Sequence, residues 1–290
     1  MFASGSSPLR SRAVRVEANG VELCVDTAVD PGDPAVLLIM GSGASMDWWE
    51  DEFCERLAAG RRFVVRYDHR DTGRSVSYEP GVPGYAGEDL IDDVVGVLDA
   101  VGISRAHLVG MSMGGAIAQV VALNQPDRVA SLTLVSSSPA GPGEDLPGMS
   151  EETIAAFSCE PPDWSDRSEV LSYMVHLARV SASSGAPFDE AGFRERAGRV
   201  FDRTTNIESS FTNHNRLDGG EPWRDRLGGL DLPTLIIHGT DDPILSHEHG
   251  VALANEIPGA ELLTLEQTGH ELPRRTWDLV VPAVLEITYG

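Results

Sequence analysis

A chain of 290 residues, 41% hydrophobic and 23% charged, is long enough to bury a substantial core as one large domain or one domain with an insertion. Its net charge of −23 argues against nucleic acid, whose phosphates demand a basic surface, and against anionic membranes. All 22 basic residues are Arg, so lysine Schiff-base chemistry and a Walker-type phosphate loop are excluded.

Met1 to Arg12 is polar and rich in Ser and Gly, and is expected to be a disordered tail. It lacks the apolar centre of a signal peptide, and no later apolar run is long enough to span a bilayer. Cys24, Cys54 and Cys159 are widely spaced, which suggests neither a zinc site nor a disulfide framework. These features predict a cytoplasmic protein.

Alternating segments at Val14–Ala18 and Glu22–Thr27 meet at Asn19-Gly20, a strong hairpin signal. Ala35–Met40 is continuously apolar, the mark of a strand buried on both faces. A helix is predicted over Glu50–Ala59, a strand over Phe63–Tyr67, and a helix over Gly87–Val101 with acids early in it. Strands follow at residues 106–111 and Val129–Ser136, flanking a helix after Ser112. From Ser138 to Gly229 there are helical patches but no clear buried strand. Strand signals resume at Leu232–His238 and Glu261–Glu266, and a helix closes the chain.

The alternation predicts an α/β fold with a mostly parallel, doubly wound sheet and an antiparallel N-terminal hairpin. Residues 13–137 and 230–290 form its core, and residues 138–229 a helical cap insertion.

Gly110-Met111-Ser112-Met113-Gly114 lies between a predicted strand and a predicted helix. A serine at such a corner is held in a strained conformation with its hydroxyl thrust out at the C-terminal edge of the sheet. The five-residue string alone is a weak signal. Nucleophilic serine chemistry also needs a base, and a buried acid to orient that base. Past the strand at 232–238 lies Gly239-Thr240-Asp241-Asp242-Pro243-Ile244, and past the strand at 261–266 lies Thr268-Gly269-His270. Sites in open parallel sheets form just beyond the carboxyl ends of strands, so the three positions reinforce one another.

With these motifs the chain resembles the α/β-hydrolase superfamily over residues 14–287. The resemblance implies that Asp242, directly before the proline, is the acid, Asp241 its neighbour, and His270 the base. It also implies an oxyanion hole from the backbone N–H of Met113 and one from the loop Met40-Gly41-Ser42-Gly43, carried to Ser42. Met40 stands where relatives most often have histidine, which removes the side-chain bonding that usually fixes this loop. Asp68-His69-Arg70-Asp71-Thr72-Gly73-Arg74-Ser75 is similar to a turn in which most members have Gly where Asp71 stands. This string is closer to a narrower group of serine esterases that includes aclacinomycin methylesterase. Asp68 and Arg70 are expected to form a charged network beside the elbow.

The function implied is a serine hydrolase cleaving a carboxylic ester of an apolar small molecule, with an aromatic polyketide methyl ester as one candidate. A carbon–carbon bond hydrolase, lactonase, thioesterase or perhydrolase would use the same triad. A non-catalytic receptor and a cyclase that does not need Ser112 are the readings from other classes. Trp48, Met111 and His214 are the candidate substrate contacts. His69, His107, His176 and His238 read as packing or surface residues. His247 and His249 read as an exposed helix start rather than metal ligands, and no cofactor or metal is implied. A homo-oligomer is left open.

Overall fold

The computed structural model describes residues 13–28, 31–139, 146–218 and 220–289. The expected N-terminal tail, residues 1–12, lies outside them. Strands β1 (Val14–Ala18) and β2 (Val21–Ala28) pair antiparallel around Asn19 and Gly20, both with positive φ (47° and 72°). That is the backbone a two-residue primed turn requires, and it matches the right-handed twist of the strands.

The sheet continues with β3 (Ala35–Ile39), β4 (Phe63–Tyr67), β5 (Ala106–Met111), β6 (Val129–Val135), β7 (Thr234–Gly239) and β8 (Glu261–Leu265). Its order is β1-β2-β4-β3-β5-β6-β7-β8; β2 meets β4 antiparallel, and from β4 onward every pairing is parallel. Every residue of β3, β4, β5 and β7 is buried, and in β3 the run is continuously apolar, as a strand covered on both faces demands. The exposed positions of the sheet lie at its two ends, on β1, β2 and β8.

Helices α1 (Asp51–Ala59), α2 (Gly87–Ala100) and α3 (Met113–Asn124) link the first strands. One apolar cluster joins Leu37, Leu108 and Leu132 to Val94 and Leu98 of α2 and Val121 of α3. The other face packs Val36, Val109 and Ile237 against Phe53 of α1 and Trp277 and Val281 of the final helix.

Between β6 and β7 run α4 (Glu151–Phe157), α5 (Arg167–Ser181), α6 (Glu190–Arg203) and α7 (Ile207–Thr212). Side chains of Ser150, Asp166, Asp189 and Asn206 each accept a backbone N–H at the start of one of these helices. This segment has its own small core of Val170, Leu171, Met174, Ala197, Val200 and Ile207. After β7 come α8 (His247–Glu256) and α9 (Trp277–Ile287). Among the described residues, no helix is long and apolar enough to cross a membrane.

Candidate active site

Ser112 sits between β5 and α3 with φ 53° and ψ −119°, outside the regions an L-residue ordinarily occupies. The corner holds it there from both sides. Its N–H donates to the Val135 carbonyl (2.9 Å), and its own carbonyl accepts from Ser137 Oγ (3.0 Å) and the Gly115 amide (2.9 Å). Strand and helix pass so closely that a Cβ on Gly110 would lie 2.2 Å from the Gly114 oxygen. A Cβ on Gly114 would lie 2.2 Å from the Ile39 oxygen. Only glycine fits either position.

Past β7, Asp242 is buried, and its Oδ1 accepts the Ile244 and Leu245 amides at 2.9 Å each. Its Oδ2 lies 2.8 Å from Nδ1 of His270, which follows β8. His270 therefore pairs with Asp242; Asp241 instead accepts from Ser183 and Thr240 hydroxyls. Burial alone would raise the pKa of Asp242. The charge of His270, the hydrogen bonds from His238 and His270, and the Leu245 amide outweigh it and hold the carboxyl well below its usual range. Since an ionised carboxylate only accepts, Nδ1 of His270 carries the proton, leaving Nε2 as a base. The backbone N–H of His270 donates to the Ser181 carbonyl at the end of α5 (2.7 Å), so the insertion touches this loop directly.

The loop Met40–Gly43 lies against Ser112: a Cβ on Gly41 would stand 3.3 Å from Ser112 Cβ and 3.9 Å from its Oγ. Within that loop the Ala44 amide donates to Gly41 O (3.2 Å) and the Gly43 amide to Nδ1 of His214 (2.8 Å). Among the described residues, the Ser42 amide and the Met113 amide at the start of α3 have no partner.

His214 was expected to touch substrate. Instead it is buried, with Nδ1 on the Gly43 amide and Nε2 2.8 Å from the Arg70 carbonyl. Both ring nitrogens are taken by backbone, which leaves neither for a ligand. The side chain of Met111 is buried in the cluster with Trp49 and Val135. Trp49 belongs to that cluster too, stacked on Phe53 at 5.6 Å. Trp48 is half-buried, packs on Phe193 at 5.1 Å and lies under the guanidinium of Arg196.

Asp68 and Arg70 do not share one network. Arg70 pairs with Asp93 through two 2.8 Å hydrogen bonds. Asp68 instead receives Arg203 from the C-terminal end of α6, at 2.8 and 2.6 Å. Sequence reasoning missed Arg203, because one Arg at a helix end carries no local signal. It also missed His238, whose Nε2 bonds the Leu245 carbonyl at 2.7 Å and lies 3.5 Å from Asp242 Oδ2. His249 is buried at the start of α8, bonded to Ser138 Oγ and Pro147 O at 2.9 Å each, and so departs from the exposed position expected. Among the described residues, no group of three or more His, Cys, Asp or Glu side chains is placed to hold a metal ion.

Residues 34–156 match the family model described as alpha/beta hydrolase fold. Rhodomycin D methylesterase DauP of Streptomyces sp. (strain C5) is 32% identical over 272 residues, covering 88% of this chain and 91% of that protein. A 2-hydroxy-6-oxononadienedioate/2-hydroxy-6-oxononatrienedioate hydrolase of Burkholderia vietnamiensis is 31% identical over 273 residues, covering 90% of this chain and 89% of that protein. The solved meta-cleavage product hydrolase (CumD) of Pseudomonas fluorescens IP01 superposes with a TM-score of 0.75 at 21% identity, covering 94% of this chain and 96% of that one. The chain belongs to the alpha/beta hydrolase family. Within it, the sequence is similar over most of its length to methylesterases from Streptomyces.

Proposed function

We propose that this protein is a carboxylic ester hydrolase that works through an acyl-enzyme on Ser112. The observation that carries the reading is the 2.8 Å pairing of His270 with buried Asp242, on loops past adjacent strands of the sheet whose β5 ends at strained Ser112. In the proposed cycle Nε2 of His270 takes the Ser112 hydroxyl proton as Oγ attacks the ester carbonyl. The oxyanion is met by the Ser42 and Met113 amides, an interaction worth about 3–4 kcal/mol per donor. Collapse breaks the carbon–oxygen bond, and His270 hands its proton to the leaving alcohol. Water then attacks the acyl group with His270 again as base, and Ser112 regains its proton. Asp242 fixes the imidazole tautomer and stabilises its cation.

Residues 138–229 are the cap in this reading, with a partly buried aromatic set (Trp48, Trp164, Phe193, Phe201 and Phe211) packed against the small apolar core of that segment. A Cβ on Gly43 would sit 4.0 Å from the Phe211 Cα, so the backbone of Phe211, one of this aromatic set, lies beside the proposed oxyanion loop. That favours an apolar, aromatic substrate, and the likeness to methylesterases favours a methyl ester, with an aromatic polyketide as the carrier. Three free thiols fit a cytoplasmic setting. The likeness to the Burkholderia hydrolase supports a second reading, carbon–carbon bond hydrolysis on the same three residues.

A hydrolysis panel of aromatic-acid methyl esters, longer alkyl esters, lactones and 2-hydroxy-6-oxo dienoates, with Ser112→Ala as control, separates the two. Methyl ester turnover that needs Ser112 supports the first. Turnover of the dienoates alone supports the second.

A further inference from the structure

We propose that His214, contributed by the insertion, is a positioning residue that sets the oxyanion loop for catalysis. The inference rests on the reading above that the Ser42 amide meets the oxyanion.

The loop Met40–Gly43 lacks the side-chain anchor that a histidine at position 40 would supply, and two imidazoles from elsewhere grip its ends instead. His69 Nε2 is 2.9 Å from the Met40 carbonyl, so it donates there. His214 Nδ1 is 2.8 Å from the Gly43 nitrogen at the other end. An amide N–H only donates and a carbonyl only accepts. His214 therefore uses the lone pair of Nδ1 for Gly43 and the proton on Nε2 for Arg70, which defines a neutral ring of a single tautomer. A protonated ring would face the Gly43 N–H with another N–H. Burial lowers the pKa of His214, against the Arg70 carbonyl bond and the charge of Asp71 that raise it.

The ring is itself held. Asn213 donates Nδ2 to Asp71 Oδ2 (2.8 Å) and accepts the Gly81 amide (2.6 Å), while Ser210 Oγ donates to the Asp71 carbonyl (2.6 Å). Tyr85 OH completes the set on Asp71 Oδ2 at 2.7 Å. His69 and Tyr85 meet the imidazole of His214 edge-on at 5.8 and 6.3 Å. Asp71 is thus the hub that fixes the His214 segment to the core. Gly43 has φ 67°, and a Cβ there would lie 2.6 Å from the Ser210 oxygen, so loop and insertion are in direct contact.

The hydrogen bond does two things. It engages the Gly43 amide, so that Gly43 does not compete with Ser42 for the oxyanion. It also ties the loop's orientation to the docking of the insertion, which makes the site complete only when that segment is seated.

The test compares His214→Phe, which keeps a ring but loses both bonds, with His214→Asn, whose Oδ1 replaces Nδ1 as acceptor. Both are assayed on p-nitrophenyl butyrate and with a phenyl trifluoromethyl ketone, which forms a tetrahedral adduct on a serine. Loss of one oxyanion donor costs about 100- to 1000-fold in kcat; a misplaced donor is expected to cost about 10- to 100-fold. His214→Phe should lower kcat by that factor with KM within about threefold of wild type. Its ketone Ki should rise by the factor by which kcat/KM falls, as expected for a transition-state mimic. His214→Asn should recover to within about fivefold of wild type. A merely structural role predicts no such split and no rise in Ki.

Wild-type kcat in His214→Phe, or an unchanged Ki beside a reduced kcat, overturns the proposal. If His214→Phe lowers Tm by more than about 10 °C, the comparison passes to His214→Asn against His214→Gln, whose longer amide sets its Nε2 toward Arg70 and leaves no acceptor at the Nδ1 position. Asn faster than Gln supports the proposal, and equal rates overturn it. Activity remaining in Ser112→Ala would overturn the serine reading, and this inference with it.

Discussion

Arg203, at the end of α6, places its guanidinium on both carboxylate oxygens of Asp68, a residue with no exposed surface at the C-terminal end of β4. The same carboxylate accepts the Met46 amide at 3.0 Å and the Arg74 amide at 2.9 Å. One ion pair thereby joins the insertion to the segment after the loop Met40–Gly43 and to the turn after β4.

Breaking this pair from the arginine side leaves a buried charge without its cation. Arg203→Met should destabilise the protein by about 3–5 kcal/mol at pH 7, read from urea denaturation. Burial pushes the Asp68 carboxyl up to about 6, against the pull of Arg203 and the two amides. Removing Arg203 raises it further. A group whose folded pKa is raised contributes stability below its unfolded value and loses it as pH rises through the folded value. The deficit of Arg203→Met should therefore shrink as pH falls from 7 to 5. A deficit that grows over that range would contradict this.

The elbow predicts a sharp contrast between two glycines. Gly114→Ala drives a Cβ to 2.2 Å from the Ile39 oxygen, whereas at Gly102 (φ 74°) a Cβ meets nothing within 4 Å. Gly102→Ala should cost only the left-handed backbone penalty, about 1–2 kcal/mol, and keep its activity. Gly114→Ala should cost more than about 3 kcal/mol and lose activity with it. Thermal unfolding and ester turnover on the two variants check both.

Two of the three thiols are built to be inert. Burial raises the pKa of Cys24 to about 11 and of Cys54 to about 12. The thiolate is the reactive form, so at pH 8 both should resist Ellman's reagent in the folded protein and react in guanidinium. Cys159, half-exposed, should react first. Fast native reaction at Cys54 would contradict the packing around it. The result also means that electrophilic inhibitors report on Ser112 rather than on a core cysteine.

Asp242→Asn keeps the size of the side chain but offers His270 an amide. By the logic of triad acids, the imidazole then takes the other tautomer, and kcat should fall by about 10,000-fold. Pre-steady-state hydrolysis of p-nitrophenyl butyrate checks this. A loss below about tenfold would remove Asp242 from the proposed mechanism.

What was legible in the sequence was local. Asn19-Gly20 announced the hairpin, and the apolar run Ala35–Met40 announced a strand covered on both faces. Two short loops, each past its own strand, announced where Asp241, Asp242 and His270 lie, and the resemblance to the family implied Asp242 as the partner of His270. What was not legible depends on residues far apart in the chain. Arg203 and Asp68 are separated by 135 positions, and His214 and Gly43 by 171. No periodicity joins such residues, because the insertion must first fold and seat before they meet. Asp71 shows the same limit differently. It stands where most members of the wider family that the turn resembles have Gly and takes φ 65°, and the use of its side chain by Asn213, Tyr78 and Tyr85 appears only in three dimensions.

The central claim is that Ser112 is the nucleophile, and fluorophosphonate labelling read by peptide mass spectrometry tests it most directly. One adduct is expected, on the peptide that carries Ser112. Ser112→Ala should take up no label and hydrolyse p-nitrophenyl butyrate more than about 1000-fold more slowly than wild type. Label on another residue, or wild-type turnover by Ser112→Ala, would contradict the mechanism.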